Sequence, residues 1–118
     1  MTAGNQPTKI LEELAGQAKN LANLVQVSAD SIVSKILLDK PAGSLTLFAF
    51  DKGQRLSEHI SPYDAVAQIV EGTAVLHIEG REVEAAAGQI LIMPAGIPHD
   101  VEAKGPFKML LTMIRQKG

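Results

Sequence analysis

The sequence predicts an all-β protein, an antiparallel sandwich or barrel, preceded by one N-terminal α-helix. Short apolar segments follow residue 31, with turn residues about every eight to twelve positions, which is typical of antiparallel sandwiches and barrels. No strand–helix–strand alternation is present, which excludes a doubly wound nucleotide-binding fold. The 118 residues, 46% of them hydrophobic, are sufficient for one domain with its own core.

The N-terminal region, residues 1–31, is predicted to be a loose tail followed by a helix over residues 8–25. Gly4 and Pro7 are typical of a tail, and Thr8 is a candidate helix cap. Apolar residues then recur at three- and four-residue spacing, which predicts one buried helical face. These residues are Ile10, Leu11, Leu14, Ala18, Leu21, Ala22 and Val25. Residues 32–118 are predicted to form a single barrel domain.

About nine short strands are predicted in this second region, separated by turn signals rich in glycine and proline. The expected ranges are 32–39, 45–50, 55–61, 65–71, 74–79, 83–85, 89–93, 99–103 and 107–114. Gly53, Gly72, Gly88 and Gly96 fall at strand ends, where a tight turn favours a positive φ.

The composition excludes several classes of function. The absence of cysteine excludes disulfides, thiolate zinc sites, iron–sulfur clusters and cysteine nucleophiles. The net charge is -2, basic residues are scattered and only 3% of residues are aromatic, so neither nucleic acid nor a membrane is an expected partner. No apolar leader and no membrane-length apolar run is present, which favours a cytoplasmic location.

Two segments that begin and end near glycines, each with one histidine, contain the residues that indicate a function. In the first segment Gly53, His59 and Gly72 resemble the first motif of the cupin superfamily in their spacing. Ser61 stands where that motif has its second histidine, and Ala65 stands where it has its glutamate. This resemblance implies an antiparallel double-stranded β-helix, also called a jelly-roll or cupin barrel.

The second segment resembles the second cupin motif more completely. Gly88, Pro94, Gly96 and His99 all match, and Ala103 replaces the final asparagine. The short interval between the two motifs, residues 73–87, is typical of small microbial cupins. Together the two motifs extend the resemblance over about residues 44–114.

The resemblance also implies a divalent metal such as iron, manganese, nickel or zinc, for which His59 and His99 are the remaining ligand candidates. Two imidazoles make a weak site, because a catalytic metal generally has at least three protein ligands. Asp64 lies one residue from the glutamate position and is a possible substitute. The alternative is that the two histidines are partly buried and hydrogen-bond each other or water.

A pocket between the two sheets is expected, and its polar residues are predicted to be His59, Ser61, Tyr63, Gln68 and His99. Tyr63 could equally cover the core from its loop. His77 is expected to point outward without a role. Three methionines, Met93, Met109 and Met113, are expected to pack in the core or at a subunit interface rather than to bind metal.

Three functions follow from these residues. The favoured one is binding of a small-molecule ligand in the pocket, without an assigned reaction. The alternative is a metal-dependent enzyme of the oxygenase or isomerase type that uses His59 and His99. The third is a barrel that serves assembly only. A homodimer is expected, with the predicted helix and the strand at 32–39 as candidate contact surfaces.

Overall fold

Two antiparallel sheets form the protein, as a computed structural model of residues 8–117 shows. Ten strands lie within this range: β1 Lys9–Ile10, β2 Ile32–Lys40, β3 Gly43–Phe50, β4 Arg55–His59, β5 Tyr63–Glu71, β6 Thr73–Ile78, β7 Arg81–Ala86, β8 Ile90–Met93, β9 His99–Glu102 and β10 Phe107–Lys117. The six-stranded sheet has the order β1-β2-β3-β10-β5-β8, and the four-stranded sheet has the order β4-β9-β6-β7. None of the helices among these residues is long and apolar enough to cross a membrane.

The prediction of an N-terminal α-helix over residues 8–25 is wrong. This segment contains strand β1 and two short 3-10 turns, Glu12–Leu14 and Leu21–Leu24. Gly16, with φ +69°, lies between the turns in a conformation that ends a helix. Most of the predicted tail, residues 1–7, lies outside the described residues.

The N-terminal segment is nevertheless an apolar covering for the outer face of the six-stranded sheet. Leucines of this segment pack around Val25, Leu37, Leu47 and Ala49, of which Leu47 and Ala49 are fully buried. The helical spacing in the sequence therefore reflected burial against a sheet. Helix formation was not required, because contacts with the sheet supply the stability that a short isolated helix lacks.

The main core lies between the two sheets and is built from the inward side chains of alternating strand positions. Phe50 and Phe107 stack at its centre with ring centroids 4.5 Å apart. The other buried members are mostly aliphatic: Ala65, Ala67, Ile69, Ala74, Leu76, Ile78, Ala85, Met93, Val101, Ala103 and Met109.

The four strand-end glycines have positive φ angles, as predicted, and Gly72 shows what such a position requires. Its φ is +72°, and a Cβ atom there would collide with the carbonyl oxygen of Pro106. Gly72 thus permits both the turn between β5 and β6 and the close approach of the chain that enters β10.

Candidate ligand cavity

A small cavity lies between the sheets, with a volume of about 60 Å³. Its walls are apolar apart from His59, Ser61 and His99. The remaining lining residues are Leu56, Ala65, Met93, Val101, Met109, Leu111 and Met113. The volume is sufficient for a few waters or a ligand of a few non-hydrogen atoms, since a cavity needs about 10–15 Å³ of such space to hold one water.

His59 enters the cavity because strand β4 carries a β-bulge. Leu56 pairs with Val101 and His59 pairs with His99, so three steps along β4 match two steps along β9. The extra residue shifts the alternation and turns His59 to the same face as Leu56. The two imidazoles then lie edge to face, with ring centroids 4.4 Å apart and an interplanar angle of 68°.

The protons of both imidazoles are fixed by main-chain carbonyl groups of their own segments. His59 Nδ1 lies 2.9 Å from the oxygen of Ser57, and His99 Nδ1 lies 3.1 Å from the oxygen of Ile97. A carbonyl oxygen only accepts, so each Nδ1 carries the proton and donates it. Each Nε2 of a neutral ring therefore keeps a free lone pair.

Burial distinguishes the two histidines. His99 is only 4% exposed, whereas His59 is exposed. Burial of the ring lowers the pKa of His99, and the nearby His59 acts in the same direction against the hydrogen bond to Ile97. His99 is therefore held in its neutral form near neutral pH.

Ser61 and Ala65 occupy the two positions where the family resemblance would place further metal ligands. Ser61 lines the cavity, and its hydroxyl oxygen accepts a 3.1 Å hydrogen bond from the Tyr63 amide. Asp64, the possible substitute, accepts a 2.8 Å hydrogen bond from the Ala95 amide instead.

Residues 8–117 contain no group of three His, Asp or Glu side chains placed to hold a metal ion. The full histidine–carboxylate set for iron, manganese, nickel or zinc does not fit this cavity, because only two imidazoles and no carboxylate line it.

Two other predicted pocket residues do not line the cavity. Gln68 is exposed on the outer face, because β5 alternates and turns its neighbours Ala67 and Ile69 inward. Tyr63 is half-buried at the start of β5 and is not among the lining residues.

A polar network that the sequence did not indicate lies on the outer face of the four-stranded sheet. His77 Nδ1 donates to Asp100 Oδ1 over 2.6 Å, and Arg55 Nη2 donates to Asp100 Oδ2 over 3.0 Å. His77 Nε2 also lies 3.4 Å from Glu82. His77 does point away from the cavity, but it holds a buried carboxylate. The contact between His77 and Asp100 depends on the pairing of β6 with β9, which residue spacing alone does not reveal.

A second depression, of about 240 Å³, lies where the β2–β3 turn meets the end of β10. Its lining includes Leu38, Lys40, Leu45 and Ile114 but no histidine or carboxylate. It is larger than the cavity between the sheets but lacks convergent polar groups. The cavity with the two histidines is therefore the better candidate site.

Comparison with known proteins agrees with this architecture. The sequence model of the family described as "Cupin domain" matches residues 46–114. A conserved protein of unknown function from Streptococcus pyogenes is 32% identical, with a TM-score of 0.86 over 97% of this chain and 100% of that chain. A cupin superfamily protein from Desulfitobacterium hafniense is 25% identical, with a TM-score of 0.84 over 94% of this chain and 100% of that chain.

A third solved structure is a cupin 2 conserved barrel domain protein from Leptotrichia buccalis. It is 36% identical, with a TM-score of 0.80, and the match covers 82% of this chain and 47% of that chain. No curated protein matches this chain.

Proposed function

The chain belongs to the cupin family, and from this premise we propose that it is a binding protein whose cavity between the sheets takes a small molecule against His59 and His99. The observation that carries the proposal is the pair of fixed imidazoles. Both Nδ1 atoms are bound to main-chain oxygens, which leaves both Nε2 atoms for contact with a ligand. A few convergent polar groups in an apolar cavity are typical of small-molecule sites.

The cavity volume sets the size of the ligand. About 60 Å³ is well below the roughly 300–1,000 Å³ of sites for drug-sized molecules. The ligand is therefore a molecule of a few non-hydrogen atoms, and the mostly apolar walls favour a neutral one. The three lining methionines can widen the cavity modestly, because a methionine side chain has three rotatable bonds.

A titration with neutral probes of increasing size tests this proposal. Methanol, pyrazole and phenol would be added to the full chain, and the imidazole signals followed by NMR. We expect a saturable shift at His99 for the smaller probes. His77 lies on the outer face of the four-stranded sheet and serves as an internal control whose signal should not follow the same curve.

Two variants sharpen this experiment by changing the volume in opposite directions. Ala65→Leu should fill the cavity and abolish the shift at His99, whereas Met113→Ala should enlarge it and admit phenol. Thermal unfolding of each variant confirms that it is folded. Equal responses of His99 and His77 in the native chain, or an unchanged response in Ala65→Leu, would refute the proposal.

We also propose that the protein forms a homodimer through the uncovered part of the six-stranded sheet. Ile90 and Ile92 on β8 are 62% and 60% exposed, and the paired residues on β5 are Gln68 and Val66. This patch carries no charge, so a second copy can meet it across a two-fold axis without repulsion. Exposed apolar patches of this kind are typical of protein contacts.

A further inference from the structure

We propose that a second copy of this chain seats its Ile92 side chain in the depression between the β2–β3 turn and the end of β10, and that the two copies do so reciprocally. The inference rests on the proposed homodimer and adds which residues meet across its two-fold axis. It also gives an occupant to the larger depression, which no group described so far fills.

One row of paired residues crosses the outer face of the six-stranded sheet and contains both sides of this contact. In strand order the row is Leu38, Leu45, Thr112, Val66 and Ile92. Directly paired residues present their side chains to the same face of a sheet. The first three line the depression of about 240 Å³, whereas Ile92 on the edge strand is 60% exposed. A depression and a protruding side chain therefore lie on one face, on opposite sides of Val66.

Val66 lies midway between the two, which is the arrangement that a two-fold axis requires. Thr112 and Ile92 each pair with Val66, so each lies one strand spacing, about 4.8 Å, from it. A two-fold axis that runs along β5 exchanges these two sides and places β8 of the second copy over β10. Sheets packed face to face keep their strands within about 30° of each other. Ile92 of each copy then meets the depression of the other.

The chemistry of the depression favours an aliphatic side chain as its occupant. Lys40 is its only charged lining residue and lies two residues beyond Leu38, towards the turn. No charge lies in the row that runs from Leu38 to Ile92, so a second copy meets no repulsion there. The depression is larger than the roughly 150 Å³ apolar cavity that holds a benzene molecule, so it has room for an isoleucine side chain.

The N-terminal segment determines that Ile92, rather than its neighbour Ile90, meets the depression. Ile90 pairs with Gln68, which pairs with Leu110 of β10. Leu110 packs against the cluster beneath the N-terminal segment, so this part of the face already has a cover. Leu45 contacts the same cluster and also lines the depression. The second copy would thus continue the cover that the segment of the chain's own N-terminus begins.

A pair of complementary variants tests this contact. Ile92→Ala removes the protruding side chain, and Thr112→Phe fills the depression. Symmetry places each change at both contacts, so each variant alone should dimerise at least about 10-fold more weakly than the native chain. In an equimolar mixture, alanine meets the filled depression and a native Ile92 meets a native depression, so dimers should return. Sedimentation velocity measures the dissociation constants, and native mass spectrometry identifies the mixed dimer.

A matched control separates this contact from a general effect of losing an isoleucine. Ile60 is 63% exposed and belongs to none of β5, β8 and β10, so Ile60→Ala should leave the dissociation constant unchanged. Thermal unfolding shows whether each variant is folded. If Thr112→Phe fails to fold, the smaller Thr112→Leu replaces it in the same mixture.

Weak dimers of each variant alone and restored dimers in the mixture would support the inference. It is wrong if filling the depression leaves dimerisation unchanged, or if the mixture stays as weak as its components. If the native dimer is then still separated by Ile90→Lys with Ile92→Lys, the proposed homodimer survives without this contact. A native chain that is monomeric at every concentration would exclude both. Binding of anilinonaphthalene sulfonate to the native dimer but not to Thr112→Phe would assign the depression to a small ligand and contradict the inference.

Discussion

Asp100 is a buried carboxylate that accepts hydrogen bonds from Arg55 and His77. Its side chain is 6% exposed and contacts Arg55 and His77. Burial alone would raise the pKa of Asp100, but hydrogen bonds from His77 and Arg55 lower it. The hydrogen bond to Asp100 in turn raises the pKa of His77, against a smaller effect of desolvation. Both shifts favour the charged pair in the folded protein.

The pH dependence of stability follows from the sign of the His77 shift. A histidine whose pKa is raised by folding contributes stability below its unfolded pKa of about 6.5, and loses it as pH rises through the folded pKa. The difference in unfolding free energy between the native chain and His77→Gln should therefore shrink as pH rises above about 6.5. Urea denaturation at several pH values measures it, and a constant or growing difference would contradict the argument.

Ser61 stands where the family motif has a histidine, and whether this position faces His59 and His99 can be tested directly. Ser61→His places a third imidazole in the cavity, and three protein ligands are the usual minimum for a catalytic zinc site. We expect the variant to gain Co(II) and Zn(II) binding, visible as Co(II) absorption bands. Ser57→His, at an exposed position on β4, is the matched control. Equal Co(II) binding by both variants would show that position 61 is not directed toward the other two histidines.

At the scale of elements, the N-terminal segment makes a few hydrogen bonds within its 3-10 turns and is also anchored to the sheet. Lys108 is only 5% exposed, and its ammonium group donates to the carbonyl oxygen of Ala22 over 2.7 Å. The Leu11 amide donates to Leu37, and Lys35 pairs with Glu13 at 2.9 Å. Polar anchors thus supplement the leucine contacts.

Removal of the buried anchor should loosen this segment selectively. Lys108→Met keeps the aliphatic stem but leaves the Ala22 carbonyl without its donor, at a cost of about 1–3 kcal/mol in unfolding free energy. Hydrogen exchange should accelerate over residues 11–25 and remain unchanged in β9. Lys104→Met, at an exposed position, is the control. Unaltered exchange in the segment would mean that the leucine contacts alone hold it.

At the scale of the whole molecule, the six-stranded sheet has one outer face with two environments. The N-terminal segment covers Leu47 and Ala49, while Ile90, Ile92 and Ile114 remain exposed. The uncovered part of this face includes β8, an edge strand whose main-chain groups are open to pairing with a strand of another molecule. Binding of a second copy at this face would bury both the apolar surface and the open edge of the sheet.

Charge placed on this patch should separate the proposed dimer. Ile90→Lys combined with Ile92→Lys would bury ammonium groups against an apolar surface in the dimer, so the monomer fraction should rise strongly. Sedimentation velocity over a range of protein concentrations measures this change. Ile60→Lys introduces the same charge at an isoleucine that is 63% exposed and belongs to neither β8 nor β5. A dimer that persists in the double variant would exclude this face.

Much of the barrel could be predicted because strands, turns and the histidine positions are encoded locally. The alternation along β5 was sufficient to predict that Gln68 points outward, since inward Ala67 and Ile69 require an outward residue between them. The N-terminal helix could not be excluded, because three- and four-residue spacing indicates a buried face whether a helix or an irregular segment presents it. The approach of Met93 and Met113 to Ala65 depends on strand pairings distant in sequence.

The unequal exposure of the two histidines also bears on how the proposed ligand would enter and leave the cavity. His59 lines the cavity and is exposed, whereas His99 lines it and is buried. The proposed ligand would therefore reach the cavity from the side of His59, without separation of the sheets. Exchange of the proposed ligand would then be independent of unfolding, and occupancy would follow the free concentration of that ligand even in a barrel that rarely opens.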